Sequence, residues 1–417
     1  MRAVVSHRWL TFSALSLLFF VVTAGTFSSL GVVLPEMVRE MGWSWTQAGA
    51  GYTVLGIACG LASFMPAVLI RMFGVRGTMF VGTLALITGF GAMAVTHSIG
   101  LYLTGTVLVG VAFALCSTVP GTHLLTDLFE KRSLVVGAYF TIGSLGGVAG
   151  PLIYVAVHGM TQSWRPYWVT FVVLSLIAGA AAVLTTPGRR DESHHKTEVP
   201  EQPGPAEVIA GLQDWTVRRA LRTSQFYVIV FGYTTYLLVN TTAHGFAVEH
   251  LTERGVSSQA AAFMLSLEAL IGSGVAVLGG MLGEKVSPKL LMIIALAALT
   301  VGMWGLAEAH GWGLMSVFAV GVGLGFGLCF VASTMLLFNY FGRGPNLELF
   351  SIMCMLSTTA AIGPAFGGWA RDTLGSFSQM FLLCAGATSL LLVATVFMRP
   401  PVQRAAKAAE FIAERAA

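Results

Sequence analysis

The chain has 417 residues, 55% of them hydrophobic and 10% charged, with a mean hydropathy of +0.78. A soluble globular protein carries about 25% charged residues, so this composition excludes that class. The formal net charge of +4 follows from loop composition and lipid contact and implies no nucleic-acid partner.

Apolar runs of about 20 residues, enough to cross a bilayer as a helix, recur along the sequence and predict twelve spans. Six lie at 9–33, 46–70, 77–95, 100–125, 134–157 and 167–184, and six at 226–248, 260–282, 290–307, 313–337, 349–370 and 380–398. Backbone polar groups in lipid must be satisfied within the segment, and runs this long and apolar do so as helices rather than barrel strands. The first run exceeds the apolar core of a signal peptide, about 7–15 residues, and ranks as span 1. With both termini on the cytoplasmic side, all but four of the 23 Lys and Arg fall on that side; the exceptions are Arg39, Arg165, Arg254 and Arg371. That asymmetry predicts a multi-pass protein of the cytoplasmic membrane with both ends inside.

Along the chain, span 1 carries Thr23, Thr26 and Ser29 at helical spacing, and span 4 carries Ser117 and Thr118. These hydroxyls either meet a solute or bond back to their own helix. After span 4, His123, Asp127, Glu130, Lys131 and Arg132 read as gate or surface charge. The polar, proline-containing stretch 187–222 reads as a solvated linker between a first bundle, 1–186, and a second, 223–417. His194 and His195 within it read as a solvated pair rather than a metal site. Span 7 places Tyr233, Tyr236, Asn240 and His244 on one helical face, suited either to a solute or to packing between helices.

Span 8 holds Glu268 about nine residues inside the helix, close to mid-bilayer. It is the one residue among 19 Asp and Glu that lies deep within a span. A charged carboxylate there costs about 2.5–3.5 kcal/mol on insertion scales, a cost relieved by a proton. Glu268 is therefore the candidate proton carrier, with His244 as the second proton-coupling residue, and both are candidate solute contacts. All five cysteines fall within spans, so neither a disulfide framework nor a metal cluster is expected. "GVGLGFG" in span 10 lies inside an apolar run with no preceding strand and is no phosphate loop. No nucleophile–base pairing or nucleotide motif is found, so an enzyme is not expected and no cofactor is implied.

The halves echo each other. "LIRMFGVRGTM" between spans 2 and 3 matches "LGEKVSPKLLM" between spans 8 and 9, and "GGVAGP" matches "AAIGP", with Arg76–Lys289 and Pro151–Pro364 at one shared separation. A common offset across unrelated motifs indicates an internal duplication about an axis along the membrane normal. With twelve spans and a central loop, the whole chain resembles the major facilitator superfamily. Gly280, Glu284, Lys285, Pro288 and Lys289 match its loop motif, whereas in the first copy Ala67 and Arg71 stand where glycine and the acid belong.

"MGWSWTQAGAGYTV", "LLTDLFEKRSLVVGAYFTIGSLGG" and "AIGPAFGGWARDTLGS" are similar to bacterial monocarboxylate and oxalate/formate-type carriers. The resemblance implies an all-α membrane protein of two pseudo-symmetric six-helix bundles, with spans 1, 4, 7 and 10 around a central cavity. It implies solute contacts at Thr26, Ser117, Tyr233, Tyr236, Asn240, His244 and Glu268, and gating roles for Arg76, Asp127, Arg132, Glu284, Lys285 and Lys289. The expected function is secondary transport of a small organic solute of the monocarboxylate type by a monomer in lipid, coupled to protons. The alternative is a proton-driven exporter of cationic or amphipathic compounds. One departure bears on this choice: the Asp and Arg that such carriers hold in span 8 fall here at Gly272 and Ala276.

Overall fold

The computed structural model describes residues 2–129, 132–187, 215–282, 286–342 and 344–401. These form helices with no strand among the described residues. Ten of the described helices are long and apolar enough to cross a membrane on that criterion alone. The other two spans of the twelve are span 2, Trp45–Ala62, and span 7, Ser224–Glu253. Their polar residues lower the mean hydropathy, and both helices pack against the opposite half of the molecule.

Three spans are broken. Span 1 consists of Arg2–Gly25 and Phe27–Met41, separated at Thr26 (φ −100°, ψ −111°). Span 4 consists of Ile99–Cys116 and Thr118–Leu128, separated at Ser117 with nearly the same dihedrals (φ −101°, ψ −112°). Carbonyls released by a break must find other donors. The Tyr139 hydroxyl donates to the Ser117 carbonyl at 2.8 Å, and the Ser29 hydroxyl donates to that of Ala24. Span 11 runs as Asn346–Ser357, a 3₁₀ turn at Thr358–Ile362 and Gly363–Leu374, with Pro364 at the start of the last piece, where its missing N–H costs no bond. Between spans 2 and 3 the chain turns at Gly74, whose φ of 73° only glycine adopts freely.

Spans 1–6 pack among themselves, as do spans 7–12, and the two sets meet where span 2 lies along span 11, span 5 along span 8, and the second piece of span 1 along span 7. The polar links between the sets cluster toward the face opposite the two termini, here the distal face. The Asp372 carboxylate, at the end of span 11, accepts the N–H groups of Trp45 (3.0 Å) and Thr46 (2.8 Å) and the Thr46 hydroxyl (2.6 Å). It thus caps span 2 from the opposite half, beside the Ser44–Gln47 capping box. Thr53 accepts the Ala365 N–H at 3.1 Å, and the Ser266 hydroxyl donates to Val148 O at 2.9 Å.

The four arginines outside the basic face secure this distal end. Arg165 donates to the carbonyls of Ala94 and Thr96 and pairs with Glu40 at 3.1 Å. Arg39 donates to Pro35 O, Arg254 to Ala309 O and Ser378, and Arg371 pairs with Glu253. Solvent weakens charge-assisted bonds at an exposed carboxylate, but three converge on Asp372, so Asp372→Ala is expected to loosen the distal contact. Spin labels at the exposed Met160 and Gln259, on spans 5 and 8, would then report a longer or broader separation. An unchanged distribution would show that the cap does not hold the halves together.

Candidate functional site

A cavity of about 430 Å³ lies between the two sets of spans. Its inner end is formed by His244 and Glu268, with Phe27 and Ser28 of span 1. It then extends toward the terminal face past Tyr236 and Tyr233 to Gly60 and Cys354. Behind its inner end the backbone of Gly31 packs directly on His244 and Gly245.

Four residues expected on span 7 line this space: Tyr233, Tyr236, Asn240 and His244. The helix Ser224–Glu253 is unbroken, so their spacing of three and four puts them on one face. The rings of Tyr233 and Tyr236 lie 5.5 Å apart, and Phe326 of span 10 lies 5.5 Å from Tyr236. Glu268 also lines the cavity and is 0% exposed. Its Oε2 lies 3.1 Å from His244 Nε2, off a hydrogen-bonding direction, and neither carboxyl oxygen has a hydrogen bond.

The other imidazole nitrogen, Nδ1, lies 3.0 Å from Asn240 O. A carbonyl oxygen only accepts, so Nδ1 carries the hydrogen. Nε2 therefore faces Glu268 either as a lone pair or as a second N–H. A single proton shared between the two groups makes the pair neutral, as imidazole with carboxylic acid or as imidazolium with carboxylate.

Thr26 and Ser117, expected among the solute contacts, are not among the residues that line this cavity. Both sit at helix breaks. The Thr26 hydroxyl turns to Thr23 O (3.4 Å) and that of Ser117 to Phe113 O (2.6 Å), and the breaks present the neighbouring Thr23, Phe27 and Phe113 to the cavity instead. Sequence reading also passed over small lining residues, Gly56, Ser144, Gly147 and Ser273. Ser273, five residues beyond Glu268, is not at same-face spacing from it, so the sequence held no signal for it.

Of the residues expected to gate, the described side chains of Arg76, Asp127 and Lys289 are not among those lining the cavity. Arg76 and Asp127 are exposed on the terminal face, and Lys289 Nζ donates to Val396 O at 2.8 Å, securing the last turn of span 12. Arg132 begins the helix Arg132–Thr161. Glu284 and Lys285 lie outside the described residues, as do Glu130, Lys131, His194, His195 and linker residues 188–214.

Residues 15–346 and 229–414 match the family model described as Major Facilitator Superfamily. The chain belongs to the Major Facilitator Superfamily. It is similar to the hexuronate transporter of Bacillus subtilis (strain 168), 23% identical over 404 residues that cover 91% of this chain and 92% of the relative. It is similar also to mouse monocarboxylate transporter 6, 25% identical with 88% and 81% covered, and to human monocarboxylate transporter 11, 26% identical with 86% and 76% covered.

Among solved structures, the nucleoside transporter NupG superposes with a TM-score of 0.75 at 13% identity over 93% of this chain and 98% of that one. The peptide transporter POT superposes with a TM-score of 0.71 at 16% identity over 92% and 93%. At such identities the superpositions establish the fold. This superfamily member is a multi-pass membrane transporter of the monocarboxylate-transporter-like kind, with a small-molecule substrate, and is not an enzyme.

Proposed function

We propose that the protein is a proton-coupled secondary transporter that moves a small organic acid of the monocarboxylate type by alternating access across the cytoplasmic membrane. The observation that carries this reading is Glu268: a fully buried carboxyl group without a hydrogen bond, at the inner end of a cavity between two helical sets, 3.1 Å from an imidazole. A group so placed costs several kcal/mol when ionised and unpaired, so loss of its proton is tied to a change in its surroundings, which is the requirement for coupling.

The relatives named for hexuronate and monocarboxylate transport support an acid as solute. A second reading, proton-driven export of a cationic compound, is favoured by one observation: Glu268 lines the cavity and, among the described residues, no Lys or Arg does. In either reading rocking of the halves would open the distal face that Asp372 now holds shut, and Arg76, Asp127, Arg132, Glu284, Lys285 and Lys289 would act at the terminal face.

The test is Glu268→Gln in proteoliposomes. The amide resembles the protonated acid but cannot release a proton. Accumulation driven by a pH gradient is expected to fall to the level of empty vesicles, while exchange of labelled for unlabelled solute persists. Accumulation at the wild-type level would refute proton coupling through Glu268.

A further inference from the structure

An anionic solute entering this cavity meets a difficulty. Buried charges are tolerated when paired, yet among the described residues the lining holds a carboxyl group and no ammonium or guanidinium. Span 8 supplies Gly272 and Ala276 where related carriers hold an acid and an arginine.

The titratable groups around the cavity are few. Tyr233 and Tyr236 face it from span 7, Cys59 from span 2 and Cys354 from span 11, while Tyr52 of span 2 donates its hydroxyl to the carbonyl of the lining residue Phe27. Spans 1, 4, 5 and 10 contribute phenylalanine, serine, threonine and glycine. Tyrosine and cysteine never become cations. Among the described residues, the only positive charge available at the inner end is therefore a proton on His244 and Glu268 themselves.

Resting on the proton-coupled reading above, we propose that the His244–Glu268 pair, when it carries two protons, is the carboxylate-binding element of the cavity and limits the solute to one negative charge. Because Nδ1 is committed to Asn240 O, the second proton gives an Nε2–H beside a carboxyl O–H, two donors on neighbouring atoms 3.1 Å apart. Two adjacent donors match the two oxygens of a carboxylate, as the fork of an arginine does. The charges then balance. The empty pair with one proton is neutral, and the pair with two protons plus a monocarboxylate is neutral again. A dicarboxylate leaves a buried negative charge with no partner, and an organic cation is repelled by the doubly protonated pair. One proton therefore binds with each solute molecule, and the rest of the lining, the rings of Tyr233, Tyr236 and Phe326 among it, receives the uncharged body of the acid.

Binding is tested by thermal stabilisation of the purified full chain with a panel of short aliphatic and aromatic monocarboxylates, including lactate, pyruvate and benzoate. Their amides, succinate and choline serve as comparisons. At least one monocarboxylate is expected to stabilise the protein, with an apparent affinity that falls about tenfold for each unit of rising pH, the slope of one proton taken up on binding. Succinate and choline are expected to bind at least ~10-fold more weakly, the loss that follows from about 1.4 kcal/mol of unpaired charge. His244→Gln is expected to lose the affinity and flatten the pH slope.

No binding by any monocarboxylate, equal binding of succinate, preference for choline, or His244→Gln with wild-type affinity and slope would each overturn the proposal. The slope and the charge preference are read on the wild type, so a poorly folded variant does not remove the test. If Glu268→Gln still abolishes proton-driven accumulation while carboxylates fail to bind, this inference alone falls; if accumulation is unaffected, the coupling reading falls with it.

Discussion

Gly31→Leu is expected to cut uptake about 5- to 150-fold while leaving the protein folded and inserted. Gly31 lies in the second piece of span 1, where its Cα faces the His244 carbonyl and Gly245 of span 7. A side chain built there runs into backbone atoms, which cannot rotate away as a side-chain tip can. Gly49 meets the Pro364 carbonyl and Gly368 that of Trp45 in the same manner where spans 2 and 11 meet, so three glycines allow the distal halves to close. Each half keeps its own packing when the distal end opens, and the strain therefore falls on the closed arrangement. Overpacking costs about 1–3 kcal/mol, roughly a 5- to 150-fold loss of the closed population, and a clash with backbone belongs at the upper end. Uptake should fall by that factor, and labels at Met160 and Gln259 should move apart. Wild-type uptake with an unchanged distance would show that the close contact is dispensable.

The spans were readable because crossing a bilayer is a requirement on length and hydropathy, both local properties of sequence. Where hydropathy alone falls short, at Trp45–Ala62 and Ser224–Glu253, the deficit comes from residues such as Thr53, Asn240 and His244 that face the other half or the cavity. Glu268 was readable for a related reason: an isolated carboxyl in an apolar run has no structural necessity.

Its pairing with His244 was not readable, because it depends on the rotation of one helix against another. Nor were the breaks at Thr26 and Ser117. A hydroxyl bonded to its own helix and one directed at a solute look alike in sequence, and at both residues the hydroxyl turns to its own span beside a bend. Gly56, Ser144 and Gly147 line the cavity because they are small, yet small residues also mark helix–helix packing in membranes, so composition could not separate the two uses. Asp372 reads as an ordinary helix-end charge until Trp45 and Thr46 are brought to it from more than 300 positions away.

Replacing both members of the buried pair, with His244→Leu and Glu268→Leu together, is expected to raise stability while abolishing proton-driven uptake. Both side chains are almost wholly enclosed, and the carboxyl oxygens have no hydrogen bond. Exchanging a buried ionic pair for apolar groups of similar volume is often neutral or stabilising, by about 1–4 kcal/mol. The single changes separate the contributions. Glu268→Leu leaves His244 still bonded through Nδ1 to Asn240 O, and the imidazole can lose its charge, so the cost is small. His244→Leu leaves Glu268 buried without the imidazole 3.1 Å away that can share its proton, a penalty of about 1–3 kcal/mol for an isolated buried polar group. The expected order of melting temperature is therefore the double variant above wild type, Glu268→Leu close to wild type, and His244→Leu lowest. A double variant that melts below both single variants would mean that the pair holds the spans together. The expected order instead describes a pair retained for coupling at a cost in stability, the relation found where a site is built for function against the preferences of its fold.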